Sequence, residues 1–173
     1  AGLQDRVAQA YEVPVFMDFD REIMKSRDYS IYEPVERKLL QNLYIAYQND
    51  LSEGSEVVHN DFRERYNFGV KEVVEAIDSW AEITIQGRKA LETGDRDKLN
   101  QLINQNFDLR RSVMNISSKN IEMVELARSA GASAKFTGSG GAIIGTFEDN
   151  RMYENLKEVL GKKNIAIIKP EIF

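Results

Sequence analysis

The sequence contains no cysteine, one histidine and no long hydrophobic run, and each of these absences removes a class of function. Without cysteine there are no disulfides, thiolate metal sites or cysteine nucleophiles. His59 has no second histidine or cysteine with which to form a zinc site, so we predict a structural or exposed histidine, and we name no metal ligand in this chain. No apolar run approaches the ~20 residues of a membrane helix, and no signal-peptide pattern opens the chain. We therefore expect a cytoplasmic protein that does not bind membranes.

The charge balance is acidic, with 28 Asp and Glu residues against 23 Lys and Arg residues and a net charge of −5. This balance disfavours a nucleic-acid partner. The composition, 42% hydrophobic and 29% charged, is typical of a soluble globular protein. The length of 173 residues suits one domain with its own core. Because there is no repeat, linker or low-complexity segment, we predict a single domain over residues 1–173.

Apolar patterning predicts strands near both ends of the chain and helices between them. Strands are predicted at 13–19, 43–47, 132–136, 142–147 and 164–169. Helices are predicted at 55–69, at 70–91, after caps at Asp95 and Ser118, and at 150–160. The segment 20–32 is expected to be mostly loop, in which a helical turn could form at 21–25, and 34–40 is expected to be a short turn. Residues 43–47 could instead continue a helix from Val35. The order favours an α+β fold, a ferredoxin-like antiparallel sheet with a block of helices.

The segment Lys135–Gly145 (KFTGSGGAIIG) combines a strand, a glycine-rich turn and a second strand. Glycine permits positive φ and close backbone approach to a ligand, and successive N–H groups in such a turn can bind an anion. Two interpretations stay open, an ordinary hairpin loop and a loop near phosphate. The spacing matches neither a P-loop nor a dinucleotide-binding fingerprint.

Three charged residues are candidates for chemistry outside this loop. Asp5, in GLQDRV, either caps a helix or presents a carboxylate that accepts a proton or orients a hydroxyl. Arg6 beside it is solvated, keeps Asp5 ionised, or binds an anionic substrate group. The Asp108–Arg111 segment forms either a solvated helix face or, through Arg110 or Arg111, a contact to an anionic ligand.

Four blocks of sequence, in this order, resemble one enzyme family. The blocks are GLQDRVAQ, NFDLRR, NIEMVELAR and KFTGSGGAII. The first resembles the catalytic-aspartate segment, and the last the third glycine-rich motif, of the GHMP kinases, which are named for galactokinase, homoserine kinase, mevalonate kinase and phosphomevalonate kinase. Taken together, the four blocks resemble the glucuronokinase group of that family most.

The resemblance implies transfer of the γ-phosphate of ATP to the anomeric hydroxyl of a monosaccharide, with glucuronate as the expected sugar. Asp5 would then be the base, or would hold the attacking hydroxyl in line, in a reaction governed by positioning and charge. The phosphate-proximal loop would comprise Gly138, Ser139, Gly140 and Gly141. For a uronic acid, Arg6 is the first candidate partner of the carboxylate and Arg110 the second.

One motif of that family is absent, a Pro-x-x-x-Gly-(Leu/Ile)-(Gly/Ser)-Ser-Ser nucleotide loop. The chain therefore resembles only the C-terminal portion of such a kinase. We expect ATP and Mg²⁺ to be bound mostly by an N-terminal half, in the same or another chain, and the chain alone to be inactive. The alternatives are a kinase for another sugar or sugar phosphate, and a non-catalytic ferredoxin-like binding or regulatory domain.

Overall fold

The computed structural model describes residues 2–49 and 55–171, with side chains from residue 61 onward in the second range. By its contacts the chain divides into two compact units, one formed by the residues up to Gln41 and the other by Asn42–Pro170. The two units are described separately, and the assignment of one domain to residues 1–173 stays a prediction. His59 lies outside the described side chains. Among the described residues, no helix has the length and apolar character needed to cross a membrane.

The first unit consists of two helices and a two-stranded antiparallel sheet. Its elements are α1 (Leu3–Tyr11), β1 (Val15–Asp18), α2 (Arg21–Arg27), β2 (Ile31–Pro34) and a 3₁₀ turn (Arg37–Leu39). The strand predicted at 13–19 is confirmed as β1. The segment 20–32, predicted to be mostly loop, instead forms α2 and the beginning of β2, and the helical turn left open at 21–25 lies within α2. Asp20 caps α2 by accepting hydrogen bonds from the backbone N–H groups of Glu22 and Ile23, both at 2.9 Å. The end of the 20–32 segment begins β2, which pairs antiparallel with β1 so that Ile31 lies opposite Asp18.

The second unit carries the larger sheet and most of the helices. Its elements are β3 (Leu43–Tyr47), α3 (Ser55–Asn67), α4 (Lys71–Thr93), α5 (Arg96–Val113), α6 (Ser118–Ser129), β4 (Lys135–Phe136), β5 (Ala142–Thr146), α7 (Asn150–Gly161) and β6 (Ala166–Ile168). The strand predicted at 43–47 is confirmed as β3, and the alternative, a helix continuing from Val35, is wrong. The predicted helices all form. Two strands are shorter than predicted, since 132–136 is a strand only at Lys135–Phe136 and 164–169 only at Ala166–Ile168.

The four strands of this unit form one antiparallel sheet in the order β4-β5-β3-β6. Within this unit the first strand, β3, is therefore central, beside the third and fourth strands, β5 and β6, as in a ferredoxin-like βαββαβ unit. Helices α3 to α6 occupy the first connection and α7 the second. The α+β fold with an antiparallel sheet and a block of helices is thus confirmed.

Burial alternates along the central strands, so one face of the sheet is covered. Tyr44 and Ala46 of β3 and Ile143 of β5 are buried, and their neighbours are less so. The core between this face and the helices includes Phe107, Met123, Val124, Ala127, Leu156 and Leu160. Trp80 of α4 is half-buried and donates from Nε1 to the Asn106 carbonyl at 3.2 Å.

Two helix boundaries show how local sequence determines the layout. Gly94 ends α4 with a φ of 71°, and Asp95 caps α5 by accepting from the Lys98 N–H at 3.0 Å. The cap at Asp95 is the one predicted from sequence, and a glycine with positive φ is a common end of a helix. The predicted cap at Ser118 is one position late, because Ser117 is the N-cap and Ser118 is already helical.

Candidate functional site

The glycine-rich segment forms the predicted turn between two paired strands. The N–H of Thr137 donates to the Ala142 carbonyl at 3.1 Å, and the N–H of Gln48 donates to the Gly141 carbonyl at 3.0 Å. Gly140 and Gly141 have φ values of 148° and 75°, which side chains other than glycine rarely adopt. The loop is therefore held at its base, with a backbone shape that depends on these two glycines.

Three consecutive backbone N–H groups in this loop, those of Gly138, Ser139 and Gly140, have no acceptor among the described residues. Gly138 is exposed, and Ser139 and Gly140 are half-buried. Unpaired N–H groups in a glycine turn carry partial positive charge and favour an anion. The loop can thus offer donors to phosphate or carboxylate oxygens.

Two cationic side chains flank the loop. Arg110 of α5 donates from Nη1 to the Gly138 carbonyl at 2.7 Å, and its guanidinium lies over the Phe136 ring, 5.1 Å from the centroid. Lys135 of β4 donates from Nζ to the Phe136 carbonyl at 3.1 Å. Burial lowers the pKa of Arg110. Burial also lowers the pKa of Lys135, and the nearby Arg110 lowers it further.

Neither cation has an acidic partner within the described part of the chain. The contrast with neighbouring arginines is direct, because Arg111 pairs with Glu125 at 2.9 Å and Arg128 pairs with Asp108 at 2.6 Å. A bound anion would offset the cost of keeping two partly desolvated cations together. Of the two arginines that the sequence left open in this segment, Arg110 is the one at the loop.

Asn120 also contacts the loop, and sequence reasoning missed it. It is fully buried on α6, its Oδ1 accepts from the Gly141 N–H at 2.8 Å, and its Nδ2 donates to Ser117 Oγ at 3.0 Å. It stands in the apolar stripe of α6, three, four and seven positions before the buried Met123, Val124 and Ala127. A polar residue at a core position is the signal that would have identified it.

Asp5 and Arg6 lie together in the first turn of α1, in the other unit. Asp5 Oδ2 accepts from the Gly2 N–H at 3.0 Å, and both side chains are exposed. This is half of a capping box, because Gly2 has no side chain to complete it. The capping interpretation of Asp5 is therefore observed, and its catalytic role stays a prediction. No ion pair joins Asp5 to Arg6 in the described structure.

Residues 88–165 match the family model described as GHMP kinases C terminal. This range contains the glycine loop, Arg110, Lys135 and Asn120, whereas Asp5 and Arg6 lie outside it. Among solved structures, mevalonate kinase of L. major in complex with R-mevalonate is similar with a TM-score of 0.70 and 24% identity, over 84% of this chain and 47% of that one. At that identity the likeness concerns the fold alone.

Two curated relatives, both from Arabidopsis thaliana, are more similar in sequence. Glucuronokinase 1 is 42% identical over 83% of this chain and 40% of its own length, and Probable glucuronokinase 2 is 40% identical over 98% of this chain and 47% of its own. The chain thus spans less than half the length of each. The family resemblance predicted from the sequence blocks is confirmed. Residues 88–165 are thus similar to the C-terminal domain of the GHMP kinases, and most of the chain is similar to glucuronokinases.

Proposed function

We propose that this chain is the C-terminal part of an ATP-dependent sugar kinase that phosphorylates the anomeric hydroxyl of glucuronate. The observation that carries the proposal is the glycine loop, where three N–H groups have no acceptor, and two neighbouring cations no acidic partner, among the residues that the structure describes. The names of the two Arabidopsis relatives support glucuronate as the sugar. A kinase for another sugar or sugar phosphate is the alternative within the family.

Phosphoryl transfer requires positioning and neutralisation of charge more than covalent chemistry. The Gly138–Gly141 loop is suited to donate hydrogen bonds to phosphate oxygens, and Lys135 adds positive charge beside it. Asp5 would accept the proton of the attacking hydroxyl or hold that hydroxyl in line. Magnesium accompanies ATP in such reactions and neutralises charge on its phosphates. We propose that its ligands and the nucleotide loop come from sequence that this chain does not contain.

The carboxylate of glucuronate needs a cationic partner, and two arginines compete for the role. Burial, and the lack of an acidic partner within the described part of the chain, support Arg110, since a charge-assisted hydrogen bond is stronger where water is excluded. Its place beside Asp5 on α1 supports Arg6, the first choice from sequence. An arginine that binds this group should discriminate glucuronate from a neutral sugar, which has no carboxylate.

The test fuses the N-terminal portion of Glucuronokinase 1 to this chain and measures ADP release with glucuronate, glucose and mevalonate. We expect the highest kcat/KM with glucuronate. A folded fusion that turns over none of these compounds would contradict the proposal and would favour a non-catalytic binding domain. Preference for a different sugar or sugar phosphate would support the alternative within the family.

The same assay separates the two arginines. Replacing the true partner, by Arg110→Gln or Arg6→Gln, should raise the KM for glucuronate by roughly 10- to 100-fold, the value of a charge-assisted bond, with much less effect on a neutral sugar. Arg111→Gln is the matched control, because Arg111 is on the same helix but pairs with Glu125. An equal effect of Arg110→Gln on both sugars would contradict its carboxylate role and point to support of the loop through Gly138.

A further inference from the structure

Asn120 combines features that an ordinary core residue does not have. Its side chain is fully buried in the stripe of α6 where apolar residues otherwise stand. A buried amide without partners is costly, so a core position of this kind is normally filled by an apolar side chain. The amide is directed at the glycine loop, where its oxygen accepts the Gly141 N–H at 2.8 Å.

The contact between Asn120 and the loop is also steric. A Cβ atom at Gly140 would lie 3.1 Å from Asn120 Nδ2 and 3.3 Å from Oδ1, tighter than most real contacts. Asn120 therefore packs directly under the backbone of Gly140, and it binds the next residue through a hydrogen bond. The loop cannot move toward α6 without a clash, and it cannot move away without losing that bond.

The amide is itself fixed in orientation. Its Nδ2 donates to Ser117 Oγ at 3.0 Å, which leaves Oδ1 as the atom that faces the Gly141 N–H. Ser117 is the N-cap of α6, so the beginning of the helix and the loop are joined through one side chain. Arg110 holds the opposite end of the loop by its bond to the Gly138 carbonyl.

We propose that Asn120 is a positioning residue, which sets the shape of the glycine loop so that the Gly138, Ser139 and Gly140 N–H groups point together at an anion. Its effect on catalysis rests on the proposed kinase function, but its effect on the loop does not. A small displacement of such donors lowers the rate of the reaction strongly while leaving remote substrate contacts unchanged. The two consequences can be measured separately.

The first measurement is amide hydrogen exchange, followed by NMR on this chain. In Asn120→Ala the Gly141 N–H loses its acceptor, and its exchange should become roughly 10- to 100-fold faster. The matched control is Asn104→Ala, since Asn104 Oδ1 accepts the Ala134 N–H at 3.0 Å, just before β4 rather than in the loop. Both variants should lose a few degrees of Tm, but only Asn120→Ala should speed the hydrogen exchange of the Gly141 N–H. Equal Gly141 exchange in the two variants would overturn the proposal.

Asn120→Asp provides a second variant in case the alanine variant does not fold. Aspartate keeps an acceptor oxygen at the same reach, and its second oxygen can accept from the Ser117 hydroxyl. Gly141 should then stay protected to within about threefold of the native exchange rate. Exchange as fast as that of an unprotected amide in this variant would contradict the role of the Asn120 oxygen.

The second measurement is kinetic and uses the fusion described above. Asn120→Ala should lower kcat by roughly 10- to 100-fold with the KM for the sugar nearly unchanged, and Asn104→Ala should change neither by more than about twofold. If Asn120→Ala raised the KM for the sugar and left kcat unchanged, the positioning role would be overturned. If the unmodified fusion has no kinase activity, the proposed function fails, while the exchange experiment still decides whether Asn120 shapes the loop.

Discussion

Replacing Gly145 by alanine should be among the most damaging single-methyl changes in this chain. Gly145 lies in β5, where the backbone before β4 passes directly against it. A Cβ atom there would overlap the Ser133 carbonyl oxygen, and it would lie 2.6 Å from the Ser133 carbonyl carbon and 2.9 Å from Tyr44 Cε1. Because one obstacle is backbone and the other is a buried ring, neither can rotate away.

The size of the effect follows from what must move. Inserting a methyl group into a packed interior costs about 1–3 kcal/mol and occasionally more. Moving Ser133 also disturbs the Tyr44 hydroxyl, which donates to the Ser133 carbonyl at 2.8 Å, and the Ser133 N–H, which donates to the Thr146 carbonyl at 3.2 Å. At about 1 kcal/mol for each bond, the free energy of unfolding should fall by about 3–5 kcal/mol in total.

The assay is a thermal melt of the purified chain, compared with Gly87→Ala as the matched control. For a chain of this size, about 3–5 kcal/mol corresponds to a Tm loss of about 6–20 °C. Gly87 lies within α4, and the space that an added methyl group would occupy is open. Alanine there should raise Tm by about 1–4 °C through its better helix propensity. If Gly145→Ala melted within about 1 °C of the native chain, the close packing of Ser133 against β5 would be refuted.

Three further outcomes are expected. Tyr44→Phe should cost about 1–2 kcal/mol, because the buried Ser133 carbonyl loses its donor. Burial raises the pKa of Tyr44, so ultraviolet titration of the native chain should show one more resistant tyrosine than titration of the variant. Arg110→Gln should raise the pKa of Lys135 toward its ordinary value, which NMR can measure. Because the pKa of Lys135 is lower in the folded than in the unfolded chain, the free energy of unfolding should rise as the pH increases from the folded pKa to about 10.5. This rise should be smaller in the variant than in the native chain. Asp20→Ala should cost about 1 kcal/mol by uncapping α2, and a circular-dichroism melt showing no loss would contradict the cap.

The parts of the fold that sequence patterns predicted are those where local chemistry is decisive. Leu43–Tyr47 is a compact run of apolar and aromatic residues between polar flanks, and it forms β3 over that range. Gly94 and Asp95 end one helix and begin the next, because a left-handed glycine and a capping carboxylate act within a single turn.

The features that the sequence did not predict depend on contacts between residues distant in sequence, or on a polar residue at a position that is normally apolar. β2 is a strand because Ile31–Pro34 pairs with β1, which no local signal in a polar stretch indicates. Asn120 looks like an ordinary polar residue until α6 is placed against the glycine loop. Spacing alone left Arg110 and Arg111 open, and the family resemblance favoured Arg110. Their different partners, the Gly138 carbonyl and Glu125, separate them physically.

The measurement that tests the central claim most directly is phosphorus NMR of the product that the fusion forms from ATP and glucuronate, with Asp5→Asn as the comparison. Asparagine can still accept the Gly2 N–H, so the helix cap survives, but it cannot act as a base. The account predicts a phosphate coupled to the anomeric proton, and a rate that falls by roughly 10²- to 10⁴-fold in Asp5→Asn. Phosphate on any other hydroxyl, no transfer to glucuronate, or an equal rate in Asp5→Asn would contradict it.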